Sequence, residues 1–82
     1  MKDLDLLKWR CRRGMKELEV ILTCYLEQNY TQASIREQQT FVRLLGLTDV
    51  ELYTYLVGQQ SPVEEEMLVL VRKISQLHWP ST

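Results

Sequence analysis

Three times between residues 34 and 64 the chain places a hydroxyl three residues ahead of a glutamate: Ser34 before Glu37, Thr48 before Glu51, and Ser61 before Glu64. This is the spacing of a capping box. The hydroxyl accepts from the backbone N–H of the third helical residue, and the glutamate reaches back to the N–H of the cap. Each box therefore predicts a helix start. In the third, Pro62 follows the cap, where a fixed φ suits the first turn and a missing N–H costs nothing. The three glycines, Gly14, Gly46 and Gly58, fall where helices should end, each as a C′ residue in the left-handed region. A chain punctuated in this way, with hardly any strand signal, reads as all-α.

Apolar spacing supplies the helices themselves. The first runs from an N-cap at Asp3 to Arg13 and buries Leu4, Leu7 and Cys11. The second runs from Met15 to about Asn29, with Leu18, Ile21, Leu22, Tyr25 and Leu26 in the clearest helical period of the chain. Asn29-Tyr30-Thr31-Gln32 breaks it. The third helix, from Ser34, buries Phe41, Val42 and Leu45. The fourth, from Thr48, offers Val50, Tyr53, Leu56 and Val57. The fifth, from Ser61, carries Val63, Met67, Leu70, Val71, Ile74 and Leu77. Glu64, Glu65 and Glu66 lie at its positive end and Arg72 and Lys73 toward its negative end, as the macrodipole favours. Trp79-Pro80 stops it. Short loops imply antiparallel neighbours. The expected fold is a compact bundle of five short helices, with one helical domain over residues 1–79 and a frayed tail over 80–82.

Composition narrows the function classes. Eighty-two residues hold one core and little scaffold for an enzyme pocket. A net charge of −1 weighs against a nucleic-acid partner. Cys11 and Cys24 match neither a CxxC pair nor a zinc spacing, and the single histidine is His78, so no metal is expected and both thiols are expected free. The isolated glycines form no phosphate loop, so no cofactor site is expected either. Glu64-Glu65-Glu66 is best explained as a solvated helix start, and His78, the base that Ser-His-Asp or Cys-His catalysis would need, sits beside Trp79 in an expected fraying C-terminus. The chain is not expected to be an enzyme. No apolar run approaches the ~20 residues that span a bilayer, and Met1-Lys2-Asp3-Leu4-Asp5 is too acidic for a signal peptide. A cytoplasmic monomer without membrane insertion is expected.

Charge, though nearly balanced, is unevenly placed. Lys8, Arg10, Arg12, Arg13 and Lys16 crowd one stretch that meets no acid until Glu17. Helix ends alone could select part of Arg13-Gly14-Met15-Lys16-Glu17: a cation in a last turn, a glycine at the junction, a carboxylate near free amides. They do not select the further cations, or Trp9 beside them, and tryptophan and arginine are enriched at binding hot spots. The elbow is the candidate partner-binding site: Trp9, Arg12, Arg13, Gly14, Met15, Lys16 and Glu17. Arg13 and Glu17 are expected to be exposed.

The run Trp9-x-Cys11-Arg12-Arg13-Gly14-Met15-x-Glu17-Leu18 resembles the signature of the succinate dehydrogenase flavinylation factors, the small bacterial relatives of mitochondrial succinate dehydrogenase assembly factor two. The likeness continues through Phe41-Val42-Arg43-Leu44-Leu45, Asp49-Val50-Glu51-Leu52-Tyr53-x-Tyr55-Leu56 and Pro62. It implies a non-enzymatic factor that binds the flavoprotein subunit of succinate dehydrogenase, and the related fumarate reductase subunit, and promotes covalent attachment of FAD to a histidine there. FAD would belong to the client. The resemblance places Arg13, Gly14 and Glu17 at the functional core; Glu19 and Tyr55 depart from the residues many relatives carry. The alternatives are an antitoxin-like regulatory partner and a helix-turn-helix-like module built on the third and fourth helices. The latter would read DNA with a helix bearing Asp49 and Glu51 and no cation, which phosphates would repel.

Overall fold

The computed structural model describes residues 2–77. It contains five α-helices, α1 (Lys2–Arg10), α2 (Lys16–Gln28), α3 (Ile35–Leu44), α4 (Asp49–Leu56) and α5 (Glu65–Ser75), with a 3-10 turn (Tyr30–Gln32) after α2. The expected all-α bundle is what forms. The expected stop at Trp79-Pro80, His78 and the tail lie outside the described residues.

α2 is the central helix because its stripe is the most regular: Leu18, Ile21, Leu22, Tyr25 and Leu26 are all buried. α1, α4 and α5 each pack against it, and α5 in turn packs on α3 and α4. Leu7 and Cys11 of the first segment, Phe41 and Leu44 of α3, Leu52 and Leu56 of α4, and Met67, Leu70, Val71 and Ile74 of α5 complete one core. Phe41 lies 4.7 Å from the Tyr25 ring and 5.8 Å from Tyr30, so one aromatic group joins α2, the 3-10 turn and α3. Thr40, the buried polar residue of α3, satisfies its hydroxyl on Arg36 O at 2.8 Å.

Two of the three predicted helix starts hold, at Ser34 and Thr48, but only the glutamate without a distant partner completes its box. Thr48 and Glu51 form a complete capping box, with Thr48 Oγ1 accepting from Glu51 N at 3.2 Å and Glu51 Oε1 accepting from Thr48 N at 3.0 Å. Ser34 makes half of one. Its Oγ accepts from Glu37 N at 3.1 Å, but the Glu37 carboxylate turns inward to Tyr25 Oη at 2.5 Å and Lys73 Nζ at 2.9 Å. The Ser61 box does not form. α5 begins at Glu65 with Glu64 as N-cap, and Glu64 is held by Arg43 of α3 while Pro62 is buried.

Other expectations are corrected too. α1 already includes Lys2 and Asp3, so Asp3 is not its cap, and it ends at Arg10 rather than Arg13. Gly58, the C′ residue of α4, is left-handed at φ 86°, but Gly14 and Gly46 are not. Val50, Tyr53 and Val57 of the fourth segment face solvent, Val50 at 73% exposure, while Leu52 turns inward. Val63 is exposed and precedes α5. Among the described residues no helix is long and apolar enough to cross a membrane.

Candidate functional site

Lys8 and Arg10 close α1 and Lys16 opens α2, but Arg12 and Arg13 between them belong to neither helix. After Arg10 the chain closes a last tight turn, with Cys11 N donating to Leu7 O at 3.0 Å and Arg12 N to Trp9 O at 3.1 Å. It then leaves helical geometry until Lys16. The reason is tertiary. The turn between α3 and α4 and the first residue of α4 lie opposite, and they offer acceptors to the Arg13 side chain and to the Gly14 amide. Arg13 Nη1 donates to Leu47 O at 3.1 Å and to Asp49 Oδ1 at 3.3 Å, and Arg13 Nη2 donates to Leu45 O. Gly14 N donates to the second Asp49 oxygen, Oδ2, at 3.0 Å.

Arg13 is therefore not the exposed residue expected from the sequence. Its side chain is only 13% exposed. It ties the end of α3 to the start of α4 and to the elbow, in the planar, multi-donor manner that arginine allows and lysine does not. Its Nε is buried with no hydrogen-bond partner among the described residues. Gly14 needs no positive φ. It is placed by a close approach instead, since a Cβ there would lie 3.3 Å from Asp49 Oδ2.

The same fold turns the remaining elbow residues outward. Trp9 is 65% exposed, and the Arg12 guanidinium lies 5.1 Å from its ring centroid. Such a contact favours the two side chains lying together at the surface by about 0.5–1 kcal/mol. Lys16 is exposed at the first position of α2, and Glu17 is half-buried one residue on. Among the described residues, Arg12, Lys16 and Glu17 form no ion pair, whereas Lys8 reaches Glu27 at 3.9 Å and Arg13 pairs with Asp49. Met15 is the N-cap of α2 without a side-chain bond, and packs against the core. Beside the stack runs a shallow groove between α1 and α2, lined by Asp5, Lys8, Trp9, Arg12, Glu19 and Thr23. Beneath it, burial pushes the Cys11 thiol up to about 11, against the opposing pull of Arg13. Both cysteines are free.

The structure thus gathers all seven sequence-chosen residues at one corner but splits their work. Arg13, Gly14 and Met15 bind inward; Trp9, Arg12 and Lys16 face out, with Glu17 between. The sequence reading missed Asp49 as a member of this corner. Nothing in local spacing links it to Arg13, 36 residues away. The turn that precedes it is also the one that a helix-turn-helix reading would use, and the elbow lies against that turn.

A family model described as flavinator of succinate dehydrogenase matches residues 6–78, which takes in the elbow, the α3–α4 turn and the core of α5. The chain belongs to that family. FAD assembly factor SdhE of Methylococcus capsulatus is 39% identical over 94% of this chain and 93% of its own length. The protein of the same name from Coxiella burnetii is 37% identical over 87% of each chain, and that of Idiomarina loihiensis 35% identical over 88% of this chain and 80% of its own. The flavinator family is one of assembly factors and not of catalytic enzymes.

Proposed function

We propose that this protein binds the flavoprotein subunit of succinate dehydrogenase and promotes covalent attachment of FAD to a histidine of that subunit. The flavoprotein subunit of fumarate reductase is a second client. The protein acts as a monomer in the cytoplasm. The observation that carries this reading is the family match across the elbow together with the outward Trp9–Arg12 stack, an aromatic and cationic pair of the kind that anchors interfaces.

The elbow residues divide naturally into those that shape the docking surface and those that touch the client. Arg13 and Gly14 hold the corner to the α3–α4 turn. Trp9 and Arg12 supply contact area, and Lys16 and Glu17 supply opposite charges, one residue apart, that set register on the client. FAD stays with the client, because the isolated Gly14, Gly46 and Gly58 offer no glycine-rich loop for a pyrophosphate. Docking stabilises a client conformation in which the histidine nitrogen faces the flavin. The rate gain is one of orientation, with the covalent chemistry supplied by the flavin.

The test is a time course of covalent flavin in the purified apo-flavoprotein subunit with free FAD, read by in-gel fluorescence after denaturation. Addition of this protein should raise the rate, and Trp9→Ala combined with Arg12→Ala should remove the gain. An unchanged rate with the wild-type protein would refute the proposal.

A further inference from the structure

Asp49 is the one residue that holds both halves of the Arg13-Gly14 pair. One carboxylate oxygen takes Arg13 Nη1 at 3.3 Å, and the other takes the Gly14 amide at 3.0 Å. Asp49 is itself fixed, as the first residue of α4, behind the complete Thr48–Glu51 capping box. The elbow backbone is thereby clamped to a helix start that lies on another part of the chain. Without this clamp, residues 12–14 would be an irregular link between Cys11 and Met15, which pack in or against the core, held by Arg13 on Leu45 O and Leu47 O alone.

We infer that Asp49 is the positioning residue of the client-binding elbow. This rests on the proposed function, and it adds a residue to the site that acts through Gly14 and Arg13 without touching the client. A carboxylate is required because two donors must be accepted from one side at once, one of them cationic. Asparagine offers a single acceptor oxygen in the same shape, and its amide nitrogen would face a donor. Alanine offers none. The clamp sets the direction in which the chain enters α2, and with it the placement of Lys16 and Glu17 relative to the Trp9–Arg12 stack. Loss of the clamp should leave the helices in place and loosen the corner, so binding should weaken chiefly through faster dissociation.

Two readouts on the full-length protein decide this. The first is hydrogen exchange at the Gly14 amide, compared with Leu22 in the buried stripe of α2. The second is affinity for the purified flavoprotein subunit, measured at a temperature where each variant is folded by circular dichroism. Asp49→Ala should speed Gly14 exchange by about tenfold or more while Leu22 is unchanged, and should weaken client binding by about tenfold, the scale of one lost charge-assisted bond. Asp49→Asn should fall between Ala and wild type in both. Val50→Ala, exposed and next in sequence, should change neither. If Asp49→Ala does not fold, Asp49→Asn decides by the same two measurements. A folded Asp49 variant with wild-type Gly14 exchange, or with loosened exchange and wild-type affinity, overturns the inference. Wild-type protein that fails to bind the subunit would instead refute the proposed function, and the exchange arm would still judge the clamp.

Discussion

At the scale of single residues, Arg13 and Arg12 stand side by side in sequence and do opposite things. Arg13 spends its Nη donors on Leu45 O, Leu47 O and Asp49, with its side chain largely buried. Arg12 lies over the Trp9 ring at the surface. Truncating Arg13 takes the side-chain donors from Leu45 O, Leu47 O and one Asp49 oxygen, while Asp49 keeps the Gly14 amide, so Arg13→Ala should cost about 2–4 kcal/mol, a large share of the ~5–10 kcal/mol expected for a domain of this size. Arg12→Ala should stay within about 0.5 kcal/mol. Urea unfolding of the two variants checks this contrast; equal midpoints would show that Arg13 is no fold anchor. The contrast was not legible in the sequence. Adjacent arginines look alike until the turn over residues 45–49 is placed opposite one of them.

Among elements, the helices that were easiest to read are those whose signals are local and repeated. α2 shows five buried positions in a regular period, and its stripe was legible outright. α4 was legible as a helix but not in its facing. It is eight residues long and apolar on two sides, so its period alone cannot decide whether Leu52 or Tyr53 turns inward. Caps obey the same logic. Thr48 keeps its box because Glu51 has no distant partner drawing it away, while Glu37 and Glu64 are drawn off by Tyr25, Lys73 and Arg43. Thr48→Ala should therefore cost ~1 kcal/mol, whereas Ser61→Ala should be neutral, since Ser61 caps nothing. Thermal unfolding distinguishes the pair, and an equal loss at Ser61 would restore the box that the structure lacks. Gly58→Ala should also cost ~1 kcal/mol, from its left-handed φ alone, as nothing lies within 4 Å of the added Cβ.

Across the whole molecule, two part-buried polar devices join the helices, beside more exposed ion pairs such as Arg43–Glu64. One is the elbow clamp. The other is Glu37 Oε2, which accepts from both Tyr25 of α2 and Lys73 of α5 and so joins three helices at one atom. Burial works to raise the Glu37 carboxyl, but these two donors outweigh it and hold it below the ordinary carboxylate value. Its contribution is then complete above the ordinary carboxylate range and is lost as pH falls through the depressed value. Burial holds Cys11 high, at about 11 against an ordinary 9.0, and burial with the Glu37 bond raises Tyr25 as well. The Cys11 contribution is complete below pH 9.0 and fades as pH rises toward about 11, and that of Tyr25 is complete below its ordinary 10.0 and fades only above it. Thermal midpoints should be flat between about pH 5 and 9 and fall on either side. Glu37→Gln should flatten the acid limb and, by removing a charge that helps raise Tyr25, weaken part of the alkaline limb while the Cys11 part stays; an unchanged acid limb would show that Glu37 does not carry it. The central claim is that one corner folds through Arg13, Gly14 and Asp49 and docks through Trp9 and Arg12. The most direct measurement is the dissociation constant of the purified flavoprotein subunit for wild type and for the Trp9→Ala, Arg12→Ala double variant, each with its thermal midpoint. The midpoint should be unchanged and binding weakened by about tenfold or more. Wild-type affinity in the folded double variant would contradict it.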